Sequence, residues 1–166
     1  IINHIKPTGF RNLRDKALLE TLFSTGLRIS EALALPEAPF MKETIGTIEL
    51  SITGKGGWQR VIYFSPKAVK AIKEYLTVKI GDSVDLFDLG VRSAQKIVAE
   101  RAKRAGVEKR VTPHMFRHSL ATDLLKKGVD IRFVSEFLGH RSISNTMIYT
   151  HVVNEQLKSI HKKLYK

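Results

Sequence analysis

Thr112-Pro113-His114-Met115-Phe116-Arg117-His118 reads as the opening of a helix. Thr112 is a capping residue type, and Pro113 fits the first helical position, where a backbone N–H would be unpaired anyway. Gly128 marks where this helix stops. The same punctuation recurs on either side. Ser65-Pro66 opens a helix to about residue 79, a helix over 93–105 stops at Gly106, and Asp130 caps one that ends at Gly139. Further upstream, Leu13, Ala17, Leu18 and Leu22 repeat at helical spacing ahead of Gly26. A second short helix is predicted over 27–35, ended by Pro36.

Residues 46–64 change period. Ile48, Leu50 and Ile52 alternate with polar residues, Thr53-Gly54-Lys55-Gly56-Gly57 turns the chain, and Val61-Ile62-Tyr63-Phe64 follows. That is a β-hairpin with a glycine-rich turn. Beyond Gly139, Ser144 or Asn145 caps a short helix carrying Met147, Ile148 and Tyr149. Val153, Leu157, Ile160 and Leu164 then form one apolar stripe on a terminal helix. The expected fold is mainly α with a small antiparallel β-sheet (α+β). Residues 1–9, with Pro7 and Gly9, read as an incoming linker, and Ile1 in place of Met points to a piece of a longer protein.

Composition bounds the function. The 166 residues suffice for one well-filled domain. Lys and Arg number 28 against 16 Asp and Glu, a net charge of +12. Such an excess favours a polyanion: nucleic acid first, an anionic membrane surface second. An ordinary enzyme that happens to be basic is the plainer reading. There is no cysteine, which excludes disulfides and thiolate metal sites. No run of 18 apolar residues and no signal peptide are present, and no membrane partner is expected.

The chemistry-bearing residues are spread along the chain. His114 and Arg117 are three apart and so expected on one helix face, in a first turn where unpaired N–H groups and the helix dipole favour an anion. Cations are locally unfavourable there, so a solvated basic turn explains them poorly. Arg28 follows Gly26-Leu27, with Glu31 three residues on. The two form either an intrahelical ion pair or an arginine aimed at a phosphate with its supporting carboxylate. Lys55 sits at the hairpin tip, either solvated or reaching into a groove. His140, after an apolar helix, reads alone as a capping residue, and Tyr149 as a core or boundary residue. Together, two arginines, histidines and a late tyrosine are the groups needed to attack a phosphodiester without a metal.

In order and context these motifs resemble the tyrosine recombinase, or phage integrase, family. The resemblance rests on Thr25-Gly26-Leu27-Arg28-Ile29-Ser30-Glu31, Gly54-Lys55-Gly56, Thr112 to His118, Leu138-Gly139-His140-Arg141-Ser142 and Ile148-Tyr149-Thr150-His151. It looks closest to the Xer and integrase-like branch, because position 140 is His where some members carry Trp. The resemblance implies a catalytic domain over 10–151 that acts on double-stranded DNA without cofactor or metal. Arg28 and Arg117 would clamp the scissile phosphate, and Tyr149 would be the nucleophile. His114 would serve as its base, Lys55 as the acid for the leaving 5′-oxygen, and His140 as a phosphate ligand. Glu31 and His118 would support them.

The resemblance further implies an N-terminal DNA-binding domain ahead of the 1–9 linker. The 152–166 tail would join subunits into a tetramer on paired sites, and the setting would be the cytoplasm, at the nucleoid. A type IB topoisomerase-like enzyme and a catalytically silent DNA-binding module are the alternatives. The segment Leu35-Pro36-Glu37-Ala38-Pro39-Phe40 departs from the charged turn expected after the first arginine helix.

Overall fold

The computed structural model describes residues 1–42, 46–54, 57 and 59–139. Lys55, His140, the expected helix carrying Tyr149 and the 152–166 stripe lie outside the described residues. A 3-10 turn at Ile2–His4 precedes α1 (Phe10–Thr25), α2 (Ile29–Leu33) and α3 (Ala38–Met41). The hairpin β1 (Ile48–Thr53) and β2 (Gln59–Phe64) leads to α4 (Pro66–Leu76), α5 (Val91–Arg104), α6 (Pro113–Lys126) and α7 (Ile131–Leu138). The expected architecture, mostly helical with one small antiparallel sheet, is what forms.

Helix α1 is the central element. The predicted stripe Leu13, Ala17, Leu18 and Leu22 is buried, and so are Leu19, Glu20 and Thr21 on its other sides. It needs more than one apolar face because α4, α6 and β2 all pack on it. Asp15, buried on α1, pairs with its neighbour Arg14 at 2.8 Å and with Arg101 of α5 at 2.6 Å. That charge network fixes α5 against α1.

The hairpin pairs in register from Ile48 with Phe64 to Thr53 with Gln59. Its inner face carries Ile48, Ile62 and Phe64 into the core. The local start signals hold at two helices: Ser65 accepts from the Ala68 N–H, and Asp130 from the Arg132 N–H. Thr112 sits at its expected position, yet its side chain makes no capping bond.

The segment that departs from the charged turn forms α3, which the sequence reading lacked. Phe40 drives it: the ring is buried and meets Phe64 edge-on, centroids 5.0 Å apart. Lys79 holds the loop beyond α4 to this helix, donating to Glu37 and to the Ser83 and Asp85 carbonyls.

A second apolar cluster, Ala121, Leu125, Val134 and Leu138, joins α6 to α7 apart from the main core. Gly26, at the end of α1, lies where these helices meet. Its φ of +61° is the left-handed conformation that ends α1. A Cβ there would stand 2.8 Å from Leu138 Cδ2 and 3.0 Å from Leu120 Cδ2.

Candidate active site

Arg28 is placed by the way α1 ends. Thr25 Oγ1 donates to the Thr21 carbonyl and accepts the Leu27 N–H. Gly26 then reverses the chain, Leu27 is buried, and Arg28 takes the extended cap position of α2. Arginine has no acceptor with which to cap a helix. Glu31 answers from the third helical position: its Oε2 accepts the Arg28 N–H at 2.9 Å. Its Oε1 accepts Arg28 Nη1–H at 3.0 Å. The intrahelical pair expected from the spacing is therefore made.

Arg28 also opens onto a cleft of about 220 Å³ between α2, α5 and the start of α6. His114, Thr112, Arg110 and Gln95 line it with Arg28. Thus Arg28 and His114, from different halves of the chain, share one small cavity. Such a cavity, with two guanidinium groups and an imidazole at its walls, suits an oxyanion.

Arg117 behaves differently from its helical neighbour. His114 is exposed, while Arg117 is turned inward and is only 5% exposed. Its Nη1–H goes to the Gly26 carbonyl at 2.7 Å and its Nη2–H to the Leu138 carbonyl at 2.5 Å. Arg117 thereby ties the turn before Arg28 to the end of α7, two residues before His140. His118 is exposed on the next turn of α6.

Two arginines escaped the sequence reading. Arg110, in the cleft wall, lies in a charged loop that reads as solvated. Arg60 had a usable signal: strand alternation puts it on the inner face with Ile62 and Phe64. A cation on a core face requires a buried anion. That anion is Glu31, which Arg60 meets with Nη2 at 2.8 Å and Nη1 at 3.3 Å. Burial raises the Glu31 pKa, but the hydrogen bonds from Arg60 and the Arg28 backbone, with both positive charges, bring it below the ordinary value.

A larger cleft of about 510 Å³ runs beside Ile1, Phe23, Val107 and Met115, and holds none of the expected site residues. Among the described residues no helix is long and apolar enough to cross a membrane.

The chain is 39% identical over 162 residues to tyrosine recombinase XerC of Leptospira interrogans serogroup Icterohaemorrhagiae serovar copenhageni, covering 92% of this chain and 51% of that protein. It is 41% identical over 162 residues to tyrosine recombinase XerD of Corynebacterium glutamicum, covering 90% of this chain and 52% of that protein. The chain therefore spans about half the length of these curated relatives. The crystal structure of XerA recombinase superposes with a TM-score of 0.76 at 30% identity, covering 94% of this chain and 60% of that one. A crystal structure of XerH site-specific recombinase bound to palindromic difH substrate, a post-cleavage complex, gives 0.79 at 29% identity, covering 99% of this chain and 50% of that one. The fold is that of a tyrosine recombinase catalytic domain. Residues 1–156 match the phage integrase family, and the chain belongs to that family.

Proposed function

We propose that this chain is the catalytic part of a site-specific recombinase that cuts and rejoins duplex DNA through a covalent 3′-phosphotyrosyl intermediate. The observation that carries the reading is the shared cleft of Arg28 and His114, with Glu31 holding Arg28 from behind. The XerH relative is bound to a DNA substrate in its crystal structure, and its match covers 99% of this chain.

In this reaction the Tyr149 oxygen attacks the scissile phosphorus. A Tyr149 O–P bond forms and the P–O5′ bond breaks. The tyrosine proton passes to His114, and Lys55 delivers a proton to the departing 5′-oxygen. Charge grows on the non-bridging oxygens in the transition state, where the Arg28 and Arg117 guanidinium groups and His140 stabilise it. The phosphotyrosyl bond conserves the phosphodiester's energy, so a new 5′-hydroxyl rejoins without ATP. The apolar stripe Val153, Leu157, Ile160 and Leu164 serves subunit assembly on paired sites, as a tetramer.

A nicked duplex that loses its 5′-hydroxyl fragment after cutting traps the intermediate. The expected result is a covalent protein–DNA adduct with the unaltered chain and none with Tyr149→Phe, which retains DNA affinity. Adduct from the Phe variant at a normal rate rules out Tyr149 as the nucleophile.

A further inference from the structure

Glu31 stands between two arginines that are used unequally. A carboxylate has about four lone-pair sites, two on each oxygen. All four are filled here. Oε1 takes Arg28 Nη1–H and Arg60 Nη1–H, and Oε2 takes the Arg28 backbone N–H and Arg60 Nη2–H. Arg60 therefore approaches end-on with both terminal nitrogens, while the Arg28 side chain is restricted to one contact. The exposures match: the Arg60 side chain is 9% exposed, Glu31 12% and Arg28 37%.

An arginine beside a carboxylate with open sites closes onto it as a two-bond fork. Such a fork would draw Arg28 away from the cleft it shares with His114. Arg60 prevents this by occupying one site on each oxygen. Its own placement has a cost, because Arg60 Nε is buried with no hydrogen-bond partner among the described residues. It also leaves no room across from it. A Cβ on Gly139 would lie 2.9 Å from Arg60 Cδ and Nη1, and Gly139 directly precedes His140.

We propose that Arg60 is a positioning residue of the active site, which saturates Glu31 so that the Arg28 guanidinium stays turned to the cleft. This rests on the strand-cleavage reading above. Arg60 touches no substrate in this role; it acts through Glu31, and from the same strand it closes against the residue before His140.

The test is a double-mutant cycle of Arg60→Met and Glu31→Gln, read by single-turnover adduct formation and, separately, by DNA affinity. Arg60→Met should slow adduct formation by about 10–100-fold, the usual scale for a residue that orients a reacting group. Affinity should hold within about threefold, since phosphate contacts set it and Arg60 makes none. The double variant should be no slower than the slower single, because both act at one carboxylate. Losses that multiply, or affinity falling in step with rate, overturn the proposal.

If Arg60→Met fails to fold by circular dichroism, Arg60→Lys takes its place in the cycle. Lysine keeps the charge but offers a point contact instead of a fork, so an intermediate loss is expected. A second readout needs no DNA: the carboxyl titration of Glu31, followed by carbon-13 NMR, must move upward in the Arg60 variant. Arg28 and Arg60 are the charged partners seen at Glu31. An unmoved titration overturns the positioning role, even where the unaltered chain forms no adduct and the cleavage reading has failed by itself.

Discussion

Arg117 Nη1–H donates to the Gly26 carbonyl at 2.7 Å, across 91 residues of chain. With Nη2–H on the Leu138 carbonyl, one guanidinium joins the ends of α1, α6 and α7. A residue placed by resemblance at the phosphate is thus also a structural tie.

Arg117→Lys should therefore lose stability as well as activity. An ammonium is a point donor and cannot span two carbonyls from different elements as a fork does. Losing such charge-assisted bonds costs about 2–4 kcal/mol, read by urea unfolding. Arg28→Lys, at a half-open ion pair, should lose adduct formation with a stability change under about 1 kcal/mol. Equal stability of Arg117→Lys and the unaltered chain would refute the tie.

Glycine replacements should rank by what surrounds them. Gly128 has a φ of +87° and nothing within 4 Å of an added Cβ, so Gly128→Ala meets only the left-handed backbone penalty of about 1–2 kcal/mol. Gly26→Ala meets that and also presses on Leu138 and Leu120, and should be the less stable of the two. Gly139→Ala pushes instead on the far part of the flexible Arg60 side chain. It should be less stable than Gly128→Ala, because the Arg60–Glu31 pair must shift, and adduct formation should fall further. Thermal melts alongside the trapping assay give the order.

Two glutamates should act oppositely on the pH dependence of unfolding. Glu31 has a folded pKa below its ordinary value of 4.5, so its stabilisation is full above that value and is lost as pH falls through the lower folded one. Glu31→Gln should flatten this acid limb. Glu20 is pushed up by burial, against the lowering charges of Lys16 and Lys67, so its ionised form opposes folding at neutral pH. Glu20→Gln should raise stability at pH 7, with the gain vanishing once the parent carboxyl is protonated. Denaturant melts between pH 3 and 7 decide both; a Glu20→Gln gain that persists in acid contradicts the burial argument.

Lys55→Ala tests the proton for the leaving group. On ordinary DNA its adduct formation should be slow. On DNA with sulfur in place of the bridging 5′-oxygen, whose thiolate leaves without a proton, it should recover most of the rate. Arg28→Ala should gain nothing from the sulfur. Absence of rescue for Lys55→Ala would make that lysine a phosphate or groove contact.

The parts of this fold that were legible in the sequence are those set by neighbours along the chain. Ser65, Asp130, Gly106 and Gly128 mark helix ends through bonds or backbone angles within a few residues, and they lie where expected. α3 was not legible, because four residues containing Pro39 carry no helical period and Phe40 owes its burial to Phe64 on a later strand. The Asp15–Arg101 pair spans 86 residues and leaves no local trace. Within the site, the Arg28–Glu31 spacing announced its ion pair. Arg117 shares a first turn with the exposed His114, and nothing in that spacing told that its partners would be carbonyls on α1 and α7. Arg60 could have been found, since a charge at an inward strand position calls for a counter-charge.

The separate apolar cluster between α6 and α7 bears on how the domain should open locally. Ala121, Leu125, Val134 and Leu138 bury against one another apart from the core around α1. A helix seated on its own small cluster can open as a sub-global unit, at lower free energy than the whole chain. Backbone amides of Val134 and Leu138 should exchange with solvent deuterium well before those of Leu18 and Leu22. The helix leading to His140 would thus detach and reseat many times within one lifetime of the folded core.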